Sequence, residues 1–280
     1  MNFHKLEEHP PGNWPAAEVS LLSKLLRNAQ KFYVGHVSRI PQKPIAANAF
    51  PRLPFSTCAF EFLMDWGDDE LSLPINVICL ARNAKAMADD PRVLPDDIGL
   101  TFFCAIGRVM RREVWAGCGQ AYFREGVLSV RGSKSPPVAL TDELRPQPVI
   151  LREGVGELAE PTVFWLASFL RVLNCVNVKT ETIDAPERLN KKRTKNGKPP
   201  VYSYKVLVLR PSAAQRADLG GTHQSPRVHL RRGHIKHRAT GDFWWGEHAV
   251  GDRRRGIVAK DYRADELLPE TAAAAHDRHP

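Results

Sequence analysis

Residues 160–174 read Glu160-Pro161-Thr162-Val163-Phe164-Trp165-Leu166-Ala167-Ser168-Phe169-Leu170-Arg171-Val172-Leu173-Asn174. Val163, Leu166, Leu170 and Leu173 recur at three- and four-residue spacings, which predicts a helix with one apolar stripe. Phe164, Trp165 and Phe169 widen that stripe. Pro161 suits the first helical turn, where its missing N–H has no intrahelical partner to lose. A helix this apolar must be packed on something large.

The flanking sequence offers strands for that purpose. Downstream, Asn174–Val178 turns into extended chain. Tyr202–Leu209, Arg227–Arg238, Asp242–Val250 and Gly256–Tyr262 then read as short strands separated by turns such as Ala239-Thr240-Gly241. Upstream, Cys58–Trp66, Leu71–Arg82, Gly99–Val114 and Ala121–Val130 are apolar runs bounded by acidic or turn-like pieces. Thr101–Val114 reads as a strand, with a buried helix as the alternative. Glu125-Gly126 splits the last run as a hairpin turn, the glycine supplying the positive φ. Pro15–Gln30 is an amphipathic helix through Val19, Leu22, Leu25 and Leu26. The class is α+β: antiparallel sheets with packed helices, the 160–174 helix leading into a four-stranded meander. A proline-bearing stretch, 132–148, separates an N-terminal region 1–150 from a region 151–263, and 264–280 reads as a flexible tail.

Composition narrows the function. The 280 residues are 43% hydrophobic and 25% charged, enough apolar material for a buried core. No run approaches the ~20 apolar residues that a membrane helix needs, and the first residues lack a secretory pattern. The expectation is a cytoplasmic protein with no membrane partner. Cys58, Cys79, Cys104, Cys118 and Cys175 are scattered, without CxxC spacing, and read as reduced core residues. The formal net charge is +9. Charge alone fits a polyanionic partner and simple solubility equally; its uneven distribution favours the partner.

Two clusters carry it. Arg188, Lys191, Lys192, Arg193, Lys195 and Lys198 crowd a segment closed by Gly197 and Pro199-Pro200. It reads as an exposed loop, either a solvated connector or a phosphate-contacting arm in which Lys191, Lys192, Arg193 and Lys195 give sequence-independent affinity. The second cluster is Pro226-Arg227-Val228-His229-Leu230-Arg231-Arg232-Gly233-His234-Ile235-Lys236-His237-Arg238. Strand alternation puts Val228, Leu230, Arg232, His234 and Lys236 on one face. A bulge at Gly233 would re-phase the strand and bring His229 and Arg231 alongside His234 and Lys236. Such a set suits metal-free RNA cleavage. Histidine titrates near neutral pH and serves as acid or base, and arginine holds phosphoryl oxygens. The candidate catalytic residues are His229 and His234, with Arg231, Arg232 and Lys236 on the phosphate. Trp244, with Lys260 adding charge, is a candidate base-stacking contact, although Trp244-Trp245 also reads as core. Two alternatives stand beside this: a strand that binds phosphate without turnover, and a metal site from His229, His234 and His237. The expected cofactor and metal content is none. Walker, GxGxxG, GxSxG and HExxH motifs are absent from the sequence, and Asp65, Asp68, Asp69 and Glu70 read as an acidic turn before a two-metal nuclease site.

The run PRVHLRRGHIKHR, then FWWGEHAVGD, then GIVAKDYR, resembles a C-terminal signature of proteins encoded by phages, prophages and related mobile elements. The resemblance covers about Asn174–Arg263. It implies a mobile-element setting and no particular activity. Trp245-Gly246-Glu247-His248 departs from the commoner W-V-x-P after that signature. The helix-plus-sheet plan with a His/Arg strand also resembles small metal-independent ribonucleases of the barnase, colicin and RelE toxin type, by architecture alone. The expected functions are a metal-independent ribonuclease-like effector or toxin, with RNA favoured over DNA; a nucleic-acid-binding protein acting by occupancy; and a basic face for an acidic protein partner or antitoxin.

Overall fold

The computed structural model describes residues 2–11, 15–37, 50–66, 73–109, 112–132, 156–208, 227–231, 233–245, 248–250 and 252–257. The chain divides into two units: Met1–Ser212 with His234–Gly246, and Ala213–Gly233 with Glu247–Pro280.

The first unit is built on an eight-stranded sheet. Its strands are β1 (Gln30–His36), β2 (Thr57–Trp66), β3 (Leu73–Asn83), β4 (Ile98–Val109), β5 (Arg112–Arg124), β6 (Val127–Gly132), β7 (Lys179–Ile183) and β8 (Tyr204–Val208), in the order β6-β5-β4-β3-β2-β1-β8-β7. Strands β2 to β6 form an antiparallel meander. Strand β1 runs parallel to both β2 and β8. The β5–β6 turn falls on Glu125-Gly126, with φ 49° and 79°. Positive φ at both central residues is what a two-residue hairpin of primed type needs.

Both faces of the sheet are covered. Helix α1 (Phe3–Glu8) and helix α2 (Ala16–Asn28) lie on one, burying Phe3, Leu6, Leu22 and Leu26 against Ala59, Ile78, Leu80, Phe103 and Trp115. Helix α3 (Ala159–Leu173) lies on the other, burying Val163, Leu166, Ala167, Phe169 and Leu170 among Phe32, Phe60, Phe62, Val77, Cys79 and Phe102. Strands covered on both sides read as near-continuous apolar runs, as Cys58–Met64 and Ile75–Ala81 do. The chain is thus α+β, and α3 falls within one residue of its expected start and end. Strands from residues 30–132 supply most of the surface beneath α3.

Three expectations change. Residues 187–195 form a helix, α4, where an exposed loop was expected. The stretch consists largely of straight-chain helix formers. It ends in a Schellman turn, with Gly197 at φ 65°, Lys198 N–H donating to Arg193 O and Gly197 N–H to Thr194 O. The run Thr101–Val114 is neither one strand nor a helix but the end of β4 and the start of β5. The four strands expected as a meander are shared among three sheets. Tyr204–Val208 joins the main sheet between β1 and β7. The 227–238 run stops at Arg231 and restarts at His234, giving β9 (Arg227–Arg231) and β10 (His234–Arg238). The 242–250 run gives β11 (Gly241–Trp245) and β12 (His248–Val250), and β13 spans Asp252–Ile257. Gly233 lies at the first break, where a residue without a side chain weakens a strand. In the second unit β9 pairs with β12 antiparallel and with β13 parallel.

Polar contacts tie down the N-terminus. Asn2 donates from N and Nδ2 to the buried Glu61 carboxylate at 2.6 and 2.8 Å. Glu7, its side chain 1% exposed, accepts from Arg27 Nε at 2.6 Å and from the Tyr202 hydroxyl. Lys31 donates to Ala29 O at 2.8 Å and sits over the Tyr202 ring; burial pushes its amine down to about 8. The five cysteines are free and buried.

Candidate nucleic-acid interface

Strands β10 and β11 form a separate two-stranded hairpin within the first unit. The register pairs His234 with Trp245, Lys236 with Phe243 and Arg238 with Gly241, and between them Ile235 with Trp244 and His237 with Asp242. Because side chains alternate along a strand, these pairs divide between two faces.

The inward face fastens the hairpin. Ile235 and Trp244 are buried in a cluster with Val172 and Cys175, against which Val178 and Leu207 pack. Asn177 acts as a side-chain rung: its Nδ2 donates to Trp244 O and its Oδ1 accepts from Trp244 N, both at 2.8 Å. Val176 N donates to Asp242 O at 2.8 Å. The turn that ends α3 therefore positions the hairpin through backbone and side chain together. At the hairpin end His237 Nδ1 and Asp242 Oδ1 lie 2.6 Å apart, both exposed.

The outward face is a basic and aromatic surface. The His234 ring lies parallel to the Trp245 ring, with an interplanar angle of 6° and centroids 6.2 Å apart. Lys236 Nζ sits 4.6 Å from the centroid of Trp245. The Arg238 guanidinium lies 5.4 Å from the Phe243 ring centre and 5.9 Å from that of Trp245. His234, Lys236 and Arg238 are exposed; Phe243 and Trp245 are half-buried. Cations over ring faces are held by the ring quadrupole, so Lys236 and Arg238 are ordered over the two rings, with the His234 ring stacked beside them.

His234 and Lys236 thus come together on this face. Trp244 does not: the pleat turns it into the core, and Trp245, one residue on, holds the outward position. Phe243 and Arg238 were also missed; register counted back from the turn at Ala239-Thr240 is the signal that places them. His229 and Arg231 lie on β9 in the second unit, where they pair with Val250 and His248. Arg232 and Lys260 lie outside the described residues. A shared metal is not favoured by His234 and His237, which occupy opposite faces of β10, and no group of three or more His, Cys, Asp or Glu side chains able to hold a metal occurs among the described residues. Of the acidic turn, Asp65 meets His36 Nε2 at 3.1 Å; Asp68, Asp69 and Glu70 lie outside the described residues.

Lys191, Lys192, Arg193 and Lys195 sit on α4 in two kinds of position. Lys191, Lys192 and Lys195 are exposed, Lys191 pairing with Glu187 at 2.7 Å. Arg193 is half-buried and bonded to Glu8 and Pro199 O.

No protein-family model matches the chain, and neither a curated protein nor a solved structure is significantly similar to it. Among the described residues no helix is long and apolar enough to cross a membrane.

Proposed function

We propose that this is a cytoplasmic, single-stranded nucleic-acid-binding protein of a phage or mobile element, with RNA as its preferred ligand. The observation that carries the reading is the outward face of the β10–β11 hairpin, where Trp245 and Phe243 lie beneath His234, Lys236 and Arg238. Unpaired bases stack on aromatic rings, and phosphates are met by cations beside them. Such a surface tolerates any sequence, because every base has a π-face. Binding without turnover is the reading that needs only this hairpin. The ribonuclease reading needs, in addition, His229 and His234 as acid and base in one site.

Titration of a labelled 20-nucleotide oligo(U) by fluorescence anisotropy tests the proposal. Trp245→Ala should weaken binding by roughly 5- to 150-fold, since one base–aromatic stack contributes ~1–3 kcal/mol. Undiminished affinity in that variant removes the hairpin from the interface. The same samples run on a gel with EDTA test turnover. Cleavage that survives EDTA, leaves 2′,3′-cyclic phosphate ends and is lost in His234→Ala would restore the ribonuclease reading.

A further inference from the structure

Helix α4 has a cationic side and an anchored side. Arg188, Lys191, Lys192 and Lys195 follow one another at spacings of three, one and three residues, which places all four on a single stripe of a 3.6-residue helix, and all four are exposed. Asn190 and Arg193 fall on the opposite side. Asn190 clasps the backbone of Val201, donating to its O at 2.8 Å and accepting from its N at 2.7 Å. Arg193 donates to Pro199 O at 2.7 Å and meets Glu8 at 2.9 Å, and Lys198 meets the other oxygen of Glu8 at 2.8 Å. Burial pushes the Glu8 carboxyl up, but hydrogen bonds from Lys198 and Arg193 outweigh this and hold it below its usual value. The helix is therefore docked onto α1 by two of its region's cations, and the remaining cations are turned outward.

We infer that the Arg188–Lys191–Lys192–Lys195 stripe is a preformed ridge that tracks the sugar–phosphate backbone of a bound nucleic acid, while Arg193 and Lys198 anchor it and touch no phosphate. The inference rests on the nucleic-acid reading of the hairpin and adds a second contact to it. The stripe is ~10 Å long at 1.5 Å per residue. A docked helix presents its cations without first ordering a loop, which lowers the entropic cost of binding. The Lys191–Glu187 pair is exposed at both ends and of the kind that contributes little, so phosphate displaces it readily.

Salt dependence separates contacting cations from anchoring ones, because only a cation that neutralises a phosphate releases counterions. The affinity of the full chain for 20-nucleotide oligo(U) is measured by anisotropy between 50 and 200 mM NaCl. The variants are K192Q, R193Q and the quadruple R188Q/K191Q/K192Q/K195Q, each checked for fold by circular dichroism. For a single strand each contact adds ~0.7 to the slope of log K against log salt, so K192Q should lose about 0.7 and the quadruple variant about 3. That loss erases roughly 50-fold of the wild-type fall in affinity across this salt range. R193Q removes the same charge and should leave the slope where it was. A quadruple variant with the wild-type slope overturns the inference, and so does R193Q losing as much as K192Q. The two single variants decide the matter if the quadruple fails to fold. Wild-type protein that does not bind oligo(U) at all defeats the hairpin reading and this one with it. Binding that depends on Trp245 but ignores the stripe defeats this one alone.

Discussion

Trp244 and Trp245 occupy the same strand, and the pleat sends the first into the cluster with Val172, Cys175 and Ile235 and leaves the second beside His234 and Lys236. Truncating them should separate stability from binding. Trp244→Ala opens a cavity under the hairpin and should cost roughly 3–5 kcal/mol in denaturant unfolding. Trp245→Ala should cost far less stability while weakening RNA binding. Equal loss of stability in both would mean that the outward ring is core as well. Asp97 makes a different kind of contribution. Arg124 donates to its carboxylate from Nη2 at 2.6 Å, the Tyr122 hydroxyl at 2.7 Å and Leu94 N at 2.7 Å. These hydrogen bonds, that of Arg124 foremost, hold its carboxyl down to about 2 against the opposing effect of burial. A carboxyl whose folded-state pKa is depressed stabilises the fold fully above its unfolded value near ~4 and loses that contribution as pH falls towards ~2. Asp97→Asn should therefore be less stable than wild type at pH 5 to 7, with the gap closing between about pH 4 and 2. A gap independent of pH would show that the ion pair is not the source of the stability.

The hairpin β10–β11 is held by a few short-range features, and Gly241 is one of them. It follows the Ala239-Thr240 turn at φ 121°, where other residues are strained, and a Cβ there would lie 2.9 Å from Val176 Cγ2. Gly241→Ala should thus cost ~1–3 kcal/mol locally. Hydrogen exchange should report it as faster exchange of amides in 234–245, with β2–β4 unchanged. Uniformly faster exchange would instead mean that the hairpin and the sheet unfold as one. Elements whose signals are local were readable from the residues alone: α3 from its apolar stripe, and the β5–β6 turn from Glu125-Gly126. Helix α4 was masked by its own charge, because six cations in a row of polar residues look like solvated loop until Gly197 is recognised as a helix stop. The outward face was half legible. His234 and Lys236 stand out by residue type, whereas Trp245, Phe243 and Arg238 depend on a register fixed by the turn, and a one-residue slip exchanges the two faces.

Pairing between distant strands is what local pattern does not carry. Strand β8 is β-branched and aromatic and reads as a strand, yet nothing nearby in sequence says that it lies parallel to β1 and continues the N-terminal sheet. That placement adds a link between the sheet and the hairpin to the one made by the end of α3. Leu207 of β8 packs against both the main core cluster and the cluster beneath the hairpin. The hairpin is therefore joined to the main core cluster of the described residues, and a packed support reduces what must be ordered on binding. The proposed arrangement is a surface for stacking with an anchored cationic helix on the same unit. Photo-crosslinking tests it most directly. The full chain is irradiated with an oligo(U) carrying 5-iodouridine, and the linked peptides are identified by mass spectrometry. The account predicts crosslinks at Trp245, Phe243 or His234, suppressed by excess unlabelled oligo(U) and absent from Trp245 in Trp245→Ala. Crosslinks confined to peptides outside 234–245, with none on the hairpin, would contradict it.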